Sequence, residues 1–196
     1  MTSMTGTPGI IPRFTASAEW LLARSSVACR LYARPYVEVV RSEIQLAAIQ
    51  PGERILNIGC GPAPFTAMLL ANYGYCVTAM DCDSRATDYA RRALRRGGYQ
   101  DRVEAVVGNP AVDPIPPFDV ALVALQVRPK DEVVARLLRQ SPPGGRVLVR
   151  ESASWCTDMY DSLSTTLPRA GTTVHRRGAL HRTVCVTRES EGWGIA

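Results

Sequence analysis

Two glycines at the end of an apolar run are the first residues whose spacing implies chemistry. Arg54-Ile55-Leu56-Asn57-Ile58 reads as a buried strand that runs into Gly59-Cys60-Gly61, with a helix predicted from about Pro64 to Asn72. Glycines at such a turn let the backbone bend sharply and let a ligand approach where a Cβ would stand. Asp81 closes the next predicted strand, 22 residues past Gly59, where a carboxylate can hold both hydroxyls of a ribose. The ligand this suits is a nucleoside without phosphates. A pyrophosphate-binding turn wants a glycine at its sixth position, which is Pro64 here and lacks an N–H. A phosphate loop ending in Gly-Lys-Ser/Thr is absent.

Groups able to move a proton gather at predicted element ends. Glu151 stands at the C-terminal end of a predicted strand, the edge where ligands bind in parallel sheets. It and Asp158 are candidate bases, with Tyr36 or Tyr160 as proton relays and Tyr32 as a further catalytic candidate. Arg150 alternates with Glu151 and is a candidate partner for a substrate carboxylate, with Arg30 and Arg34 as alternatives. Trp20, Tyr32, Tyr36, Trp155 and Tyr160 are the aromatic candidates for orienting a cation; Trp20 and Tyr32 read first as residues packing the helix onto the sheet, with Tyr36 the better pocket candidate. His175 and His181 fall in a predicted hairpin, where a structural role is expected, and no HxH or HxxxH pair suggests a metal. Lys130 is the one lysine and reads as an exposed helix start, which argues against pyridoxal phosphate.

The elements that must position these groups alternate. Helical periodicity runs over 16–33 and 36–49, broken by Pro35. Strands are predicted at 54–58, 75–80, 103–107, 118–125 and 146–150, with helices over 64–72, 84–96, 131–139 and 158–168. Thr172–His175 and His181–Thr187 read as a closing hairpin. The expectation is a doubly wound α/β fold, Rossmann-like, with a seven-stranded, mostly parallel sheet and a C-terminal antiparallel hairpin. The organisation expected is a flexible 1–14, a two-helix lid over 15–50 and one domain over 51–190.

Length and composition agree with one soluble domain: 196 residues, 46% hydrophobic, 21% charged. No apolar run approaches the ~20 residues of a membrane span, and residues 1–12 lack the pattern of a secretory signal. The six cysteines form no CxxC pair and read as reduced thiols, so a cytoplasmic location is expected. The net charge of +5 comes from arginines, densest at Arg91, Arg92, Arg95 and Arg96, which reads as a solvated helix face rather than a nucleic-acid patch. The partners expected are a small-molecule substrate, no nucleic acid and no membrane, with a homodimer as a possible assembly.

The order strand–GCG–helix–strand ending in Asp81–helix–strand followed by Gly108-Asn109 resembles the class I S-adenosylmethionine (SAM)-dependent methyltransferase superfamily over about residues 50–188. The Pro142-Pro143-Gly144-Gly145-Arg146 turn into the fifth strand shares that resemblance. It implies SAM as cofactor or substrate, with Asp81 on the ribose and Asn109 on the adenine. Asn57, Gly59, Cys60, Gly61, Pro62, Cys82, Pro110 and Ala124 are the further contacts it implies. Two positions depart from the family pattern: Asn57 stands for its first acid and Ala63 for its third glycine.

A narrower resemblance rests on Gly61-Pro62-Ala63-Pro64-Phe65-Thr66, on Val149-Arg150-Glu151-Ser152 and on Tyr160. These segments are similar to the nicotianamine synthase-like branch and to small SAM-cyclising enzymes. That branch attacks the γ-carbon of the methionine portion and releases methylthioadenosine. The activity implied is self-cyclisation of SAM to azetidine-2-carboxylate or 1-aminocyclopropane-1-carboxylate, or aminocarboxypropyl transfer to a small amine. Residues 1–50 and short loops are all that remain to bind an acceptor, so a small acceptor or none is expected. The rival readings are a small-molecule methyltransferase and a non-catalytic SAM-binding protein.

Overall fold

The computed structural model describes residues 26–167 and 169–188, with side chains from 36 onward except 168, 176 and 177. Seven strands form one sheet: β1 (Arg54–Ile58), β2 (Cys76–Asp81), β3 (Val103–Val107), β4 (Val120–Val123), β5 (Arg146–Ser152), β6 (Arg169–Arg177) and β7 (Leu180–Thr187). The helices are α1 (Ser26–Leu46), α2 (Phe65–Asn72), α3 (Ser84–Gly97) and α4 (Lys130–Gln140). The sheet order is β3-β2-β1-β4-β5-β7-β6. Pairing is parallel from β3 through β5, and β7 runs antiparallel to both of its neighbours. Chain direction along the sheet reverses between β1 and β4, the switch point where such sheets open a ligand crevice.

The sheet is covered on both faces, so β1 and β4 are buried almost end to end. On one face Ile55, Leu122 and Leu148 pack with Val40 of α1, Leu70 of α2 and Leu94 of α3. On the other, Leu56, Val123 and Val149 pack with Val133 and Leu137 of α4. The α3 helix has both of its ends marked in the sequence. The Asp83 carboxylate accepts from the Arg85 amide at 2.8 Å, and Gly98 takes the left-handed C-terminal position at φ 75°.

Four expectations change. A single α1 runs through Pro35 instead of two helices. One proline removes one backbone bond and bends a helix, but packing of the following turns against α2 and β6 continues it. β5 extends to Ser152, two residues past the expected end. The helix expected over 158–168 is a 3-10 turn, Ser154–Met159, followed by irregular chain. Ser164 there bonds its amide to Asp131 and its hydroxyl to Thr166, local polar bonds that compete with a helix, while Leu163 and Leu167 pack into the α4 face.

Lys130 is the fourth correction. It is 1% exposed, not a solvated helix start. Its Nζ donates to the carbonyls of Leu125, Arg150 and Asp161 at 3.1, 3.1 and 2.8 Å. Burial pulls its pKa down to about 8, against the pull of Asp161 and Glu151. Among the described residues no helix is long and apolar enough to cross a membrane. The expected flexible segment 1–14 and the first part, 15–25, of the expected lid over 15–50 lie outside the described residues.

Candidate active site

A cavity of about 710 Å³ opens at the switch point. Its size lies within the roughly 300–1,000 Å³ of sites that enclose one small ligand. The loop after β1 forms one wall. Gly59 and Gly61 have φ of 74° and 64°, which favours glycine, and a Cβ on Gly59 would stand 2.8 Å from the Val127 side chain. Asp81 accepts from the Gly61 amide at 2.7 Å and from the Asp83 amide at 3.0 Å. Cys82 lines the same wall, and burial and then Asp81 raise its thiol pKa. Asn109 and Pro110 lie beyond it. The Asn109 side chain caps the Ala111 amide, and Arg136 braces the loop by donating to the Pro110 carbonyl at 2.7 Å.

All ten residues expected to contact the cofactor line this cavity: Asn57, Gly59, Cys60, Gly61, Pro62, Asp81, Cys82, Asn109, Pro110 and Ala124. Asn57 is buried, and its Oδ1 has no hydrogen-bond partner among the described residues. An unpartnered acceptor facing a cavity suits an N–H or O–H donor on a ligand. This set of acceptors, a carboxylate and an amide oxygen beside a glycine loop, fits an adenosine with an amino-acid tail.

The catalytic candidates separate. Tyr36 and Tyr160 line the cavity, and the Tyr36 ring stacks on Phe65 at 6.4 Å between centroids. Glu151 does not line it. Strand alternation turns Glu151 to the α4 face, where it pairs with Arg182 at 2.5 Å and Arg169 at 3.6 Å. Asp158 and Trp155 are exposed on the 3-10 turn, outside the cavity lining. The side chains of Tyr32, Arg30 and Arg34, and all of Trp20, lie outside the described residues.

Arg150 is on the cavity wall, but one edge of it is already committed. Its Nε and Nη2 donate to the two oxygens of Glu43, each at 2.8 Å, and its Nη1 donates to Thr66 at 3.1 Å. Thr183 donates to Glu43 at 2.7 Å, so His175 Nε2, 2.7 Å from the same hydroxyl, is the donor of that contact. Burial lowers the His175 pKa. Burial also opposes the Arg150 charge, but Glu43 more than compensates and its pKa stays raised.

A family model described as a methyltransferase domain matches residues 55–145. The chain carries a class I SAM-dependent methyltransferase fold. It is 30% identical over 125 residues to a protein-L-isoaspartate O-methyltransferase of Methylorubrum populi, covering 60% of this chain and 58% of that one. It is 30% identical over 144 residues to the ubiquinone/menaquinone biosynthesis C-methyltransferase UbiE of Vibrio campbellii, covering 67% of this chain and 55% of that one. The chain spans about half the length of the curated relatives it matches. Among solved structures, the nicotianamine synthase MtNAS superposes with a TM-score of 0.77 over 89% of this chain and 70% of its own, at 24% identity.

Within the methyltransferase fold, several cavity residues carried no sequence signal. The loop Leu125–Arg128 and the hairpin turn Gly178–Leu180 reach the cavity from strands far apart in sequence. Glu43, which does not line the cavity but holds Arg150 there, reads as one more polar residue on an amphipathic helix. Its spacing of seven from Tyr36 was the available clue, since residues two helical turns apart share a face. Among the described residues no group of three or more His, Cys, Asp or Glu could hold a metal ion.

Proposed function

We propose that the chain binds SAM in this cavity and reacts it at the γ-carbon of the methionine portion, releasing methylthioadenosine. The observation that carries this reading is the set of titratable groups on the cavity wall. Two phenols, Tyr36 and Tyr160, line it and can relay a proton, accepting one only as phenolates, while the carboxylates on the wall, Asp81 and Asp83, sit beside the glycine loop. In the reaction a neutral amine forms a bond to the γ-carbon as the C–S bond breaks toward sulfur, which discharges the sulfonium. The proton that the ammonium loses beforehand goes to a phenolate or to water. Self-cyclisation to azetidine-2-carboxylate needs only this step, whereas a cyclopropane needs an α-carbanion. Transfer of the aminocarboxypropyl group to a small amine uses the same bond changes. The likeness to MtNAS supports the reading, as that protein has been solved with MTA and tNA and with S-adenosylmethionine.

Methyl transfer to a small molecule is the second reading, favoured by the family model and by both curated relatives. Incubation of the protein with SAM alone, read by mass spectrometry, separates the two. Methylthioadenosine with an equimolar cyclic amino acid above the uncatalysed blank supports cyclisation. Methylthioadenosine appearing only with an added amine supports transfer. S-adenosylhomocysteine as the product once a small nucleophile is added to accept the methyl group overturns the γ-carbon reading.

A further inference from the structure

Arg150 is a buried cation on the wall of a cavity, and the groups that hold it do not exhaust it. A guanidinium has five N–H donors, and three are engaged, two by Glu43 and one by Thr66. Glu43 and Thr66 leave one N–H on Nη1 and one on Nη2. Glu43, 0% exposed and braced by Thr183, fixes the other edge of the fork. Stability does not account for the pair: buried ion pairs can often be exchanged for apolar groups at little or no cost.

We propose that the guanidinium of Arg150, oriented by Glu43, receives the α-carboxylate of the amino-acid part of SAM. This rests on the reading that the cavity binds SAM, and not on which carbon of SAM reacts. The distribution of charge on the wall sets the ligand's direction. Asp81 and Asp83, at and just beyond the end of β2, form an acidic end suited to ribose hydroxyls and repel a carboxylate. Arg150 lies on β5, three strand positions away, about 14 Å at the usual spacing. A ligand with a nucleoside at one end and an amino acid at the other spans that interval. Asn57 shares the sheet face of Arg150, and its unpartnered oxygen lies between the two ends. Arg128 is the other arginine on the wall. It is half exposed, and its guanidinium is tied to Asp161 and the Met159 carbonyl. The phenol of Tyr36 lies within the field of Arg150, which brings the proposed proton carrier to the amino-acid end.

Two ligands isolate the carboxylate. S-adenosylhomocysteine has the amino-acid part and methylthioadenosine lacks it. Arg150→Met alone would strand the buried Glu43 charge, so the informative variant is the double Glu43→Gln/Arg150→Met, with its folding checked by thermal melting. Calorimetry is expected to show S-adenosylhomocysteine affinity falling about 10- to 100-fold, the scale of a lost charged hydrogen-bond pair, with methylthioadenosine affinity unchanged. Glu43→Gln alone, which keeps Arg150, is expected to retain the preference for S-adenosylhomocysteine. Unchanged S-adenosylhomocysteine affinity in the folded double variant, equal loss of both ligands, or a selective loss in Arg128→Ala instead would each overturn the proposal. Wild-type protein that binds neither ligand overturns the SAM reading itself.

Discussion

The Asp81 carboxylate accepts the backbone N–H of Gly61 at 2.7 Å, so the acid at the end of β2 holds the glycine loop in place. Its other oxygen takes the Asp83 amide at 3.0 Å and so also reaches the start of α3. One side chain thereby shapes the loop and presents its remaining lone pairs to the cavity.

Asp81→Ala removes both functions. SAM affinity measured by calorimetry is expected to fall at least about 100-fold, the scale of two charge-assisted hydrogen bonds. Asp81→Asn should fall between, because an amide replaces only one of the two acceptor oxygens. Wild-type affinity in Asp81→Ala would refute the ribose assignment.

Tyr36 is stacked on Phe65 and interacts electrostatically with Arg150. Tyr36→Phe keeps the stack and loses the proton carrier. Product formation in a single turnover should slow by about 10²- to 10⁴-fold with SAM affinity retained. Tyr160→Phe should cost less than about tenfold. A wild-type rate in Tyr36→Phe would move the base elsewhere.

Lys130 couples folding to pH. Its folded pKa of about 8 lies below its ordinary 10.5, so between those values the unfolded chain holds a proton that the folded chain has released. Stability contributed by this group therefore rises with pH across that window and is flat below it. Denaturant titrations from pH 7 to 10.5 should show wild type gaining up to about 3 kcal/mol relative to Lys130→Met. Parallel curves for the two proteins would show that Lys130 titrates normally.

Glu151 faces away from the cavity, paired with Arg182 and Arg169. Glu151→Gln should leave the turnover of folded enzyme near wild type and lower stability by about 1–3 kcal/mol in denaturant melts. Asp158→Asn should change neither. A large loss of turnover at unchanged stability in Glu151→Gln would return it to the catalytic groups.

The cofactor side of the site was legible in the residues because its signals are local. A strand end, two glycines with positive φ and an acid at the next strand end all lie within 23 residues. The reacting side was only half legible. Period-two alternation already put Arg150 and Glu151 on opposite faces, so at most one of them could share a pocket with Tyr36. Alternation does not say which face the cavity occupies. The cover of α1 and α2 on the Arg150 side decides that, and those helices precede β5 in the chain by more than 70 residues.

By itself, the sequence determined the alternating strands and helices, the glycine turn, the helix after Asp81 and the place of Asp81. Each of these is dictated by backbone conformation and hydrophobic period over a few neighbouring residues. Only the tertiary structure decided that Glu43 meets Arg150 across 107 residues, that Lys130 is buried beneath three carbonyls, and that Glu151 is excluded. A buried charge is tolerated only beside a partner, and here that partner comes from an element distant in sequence. Local pattern identifies the charge, and the packing of helix on sheet supplies the group that neutralises it.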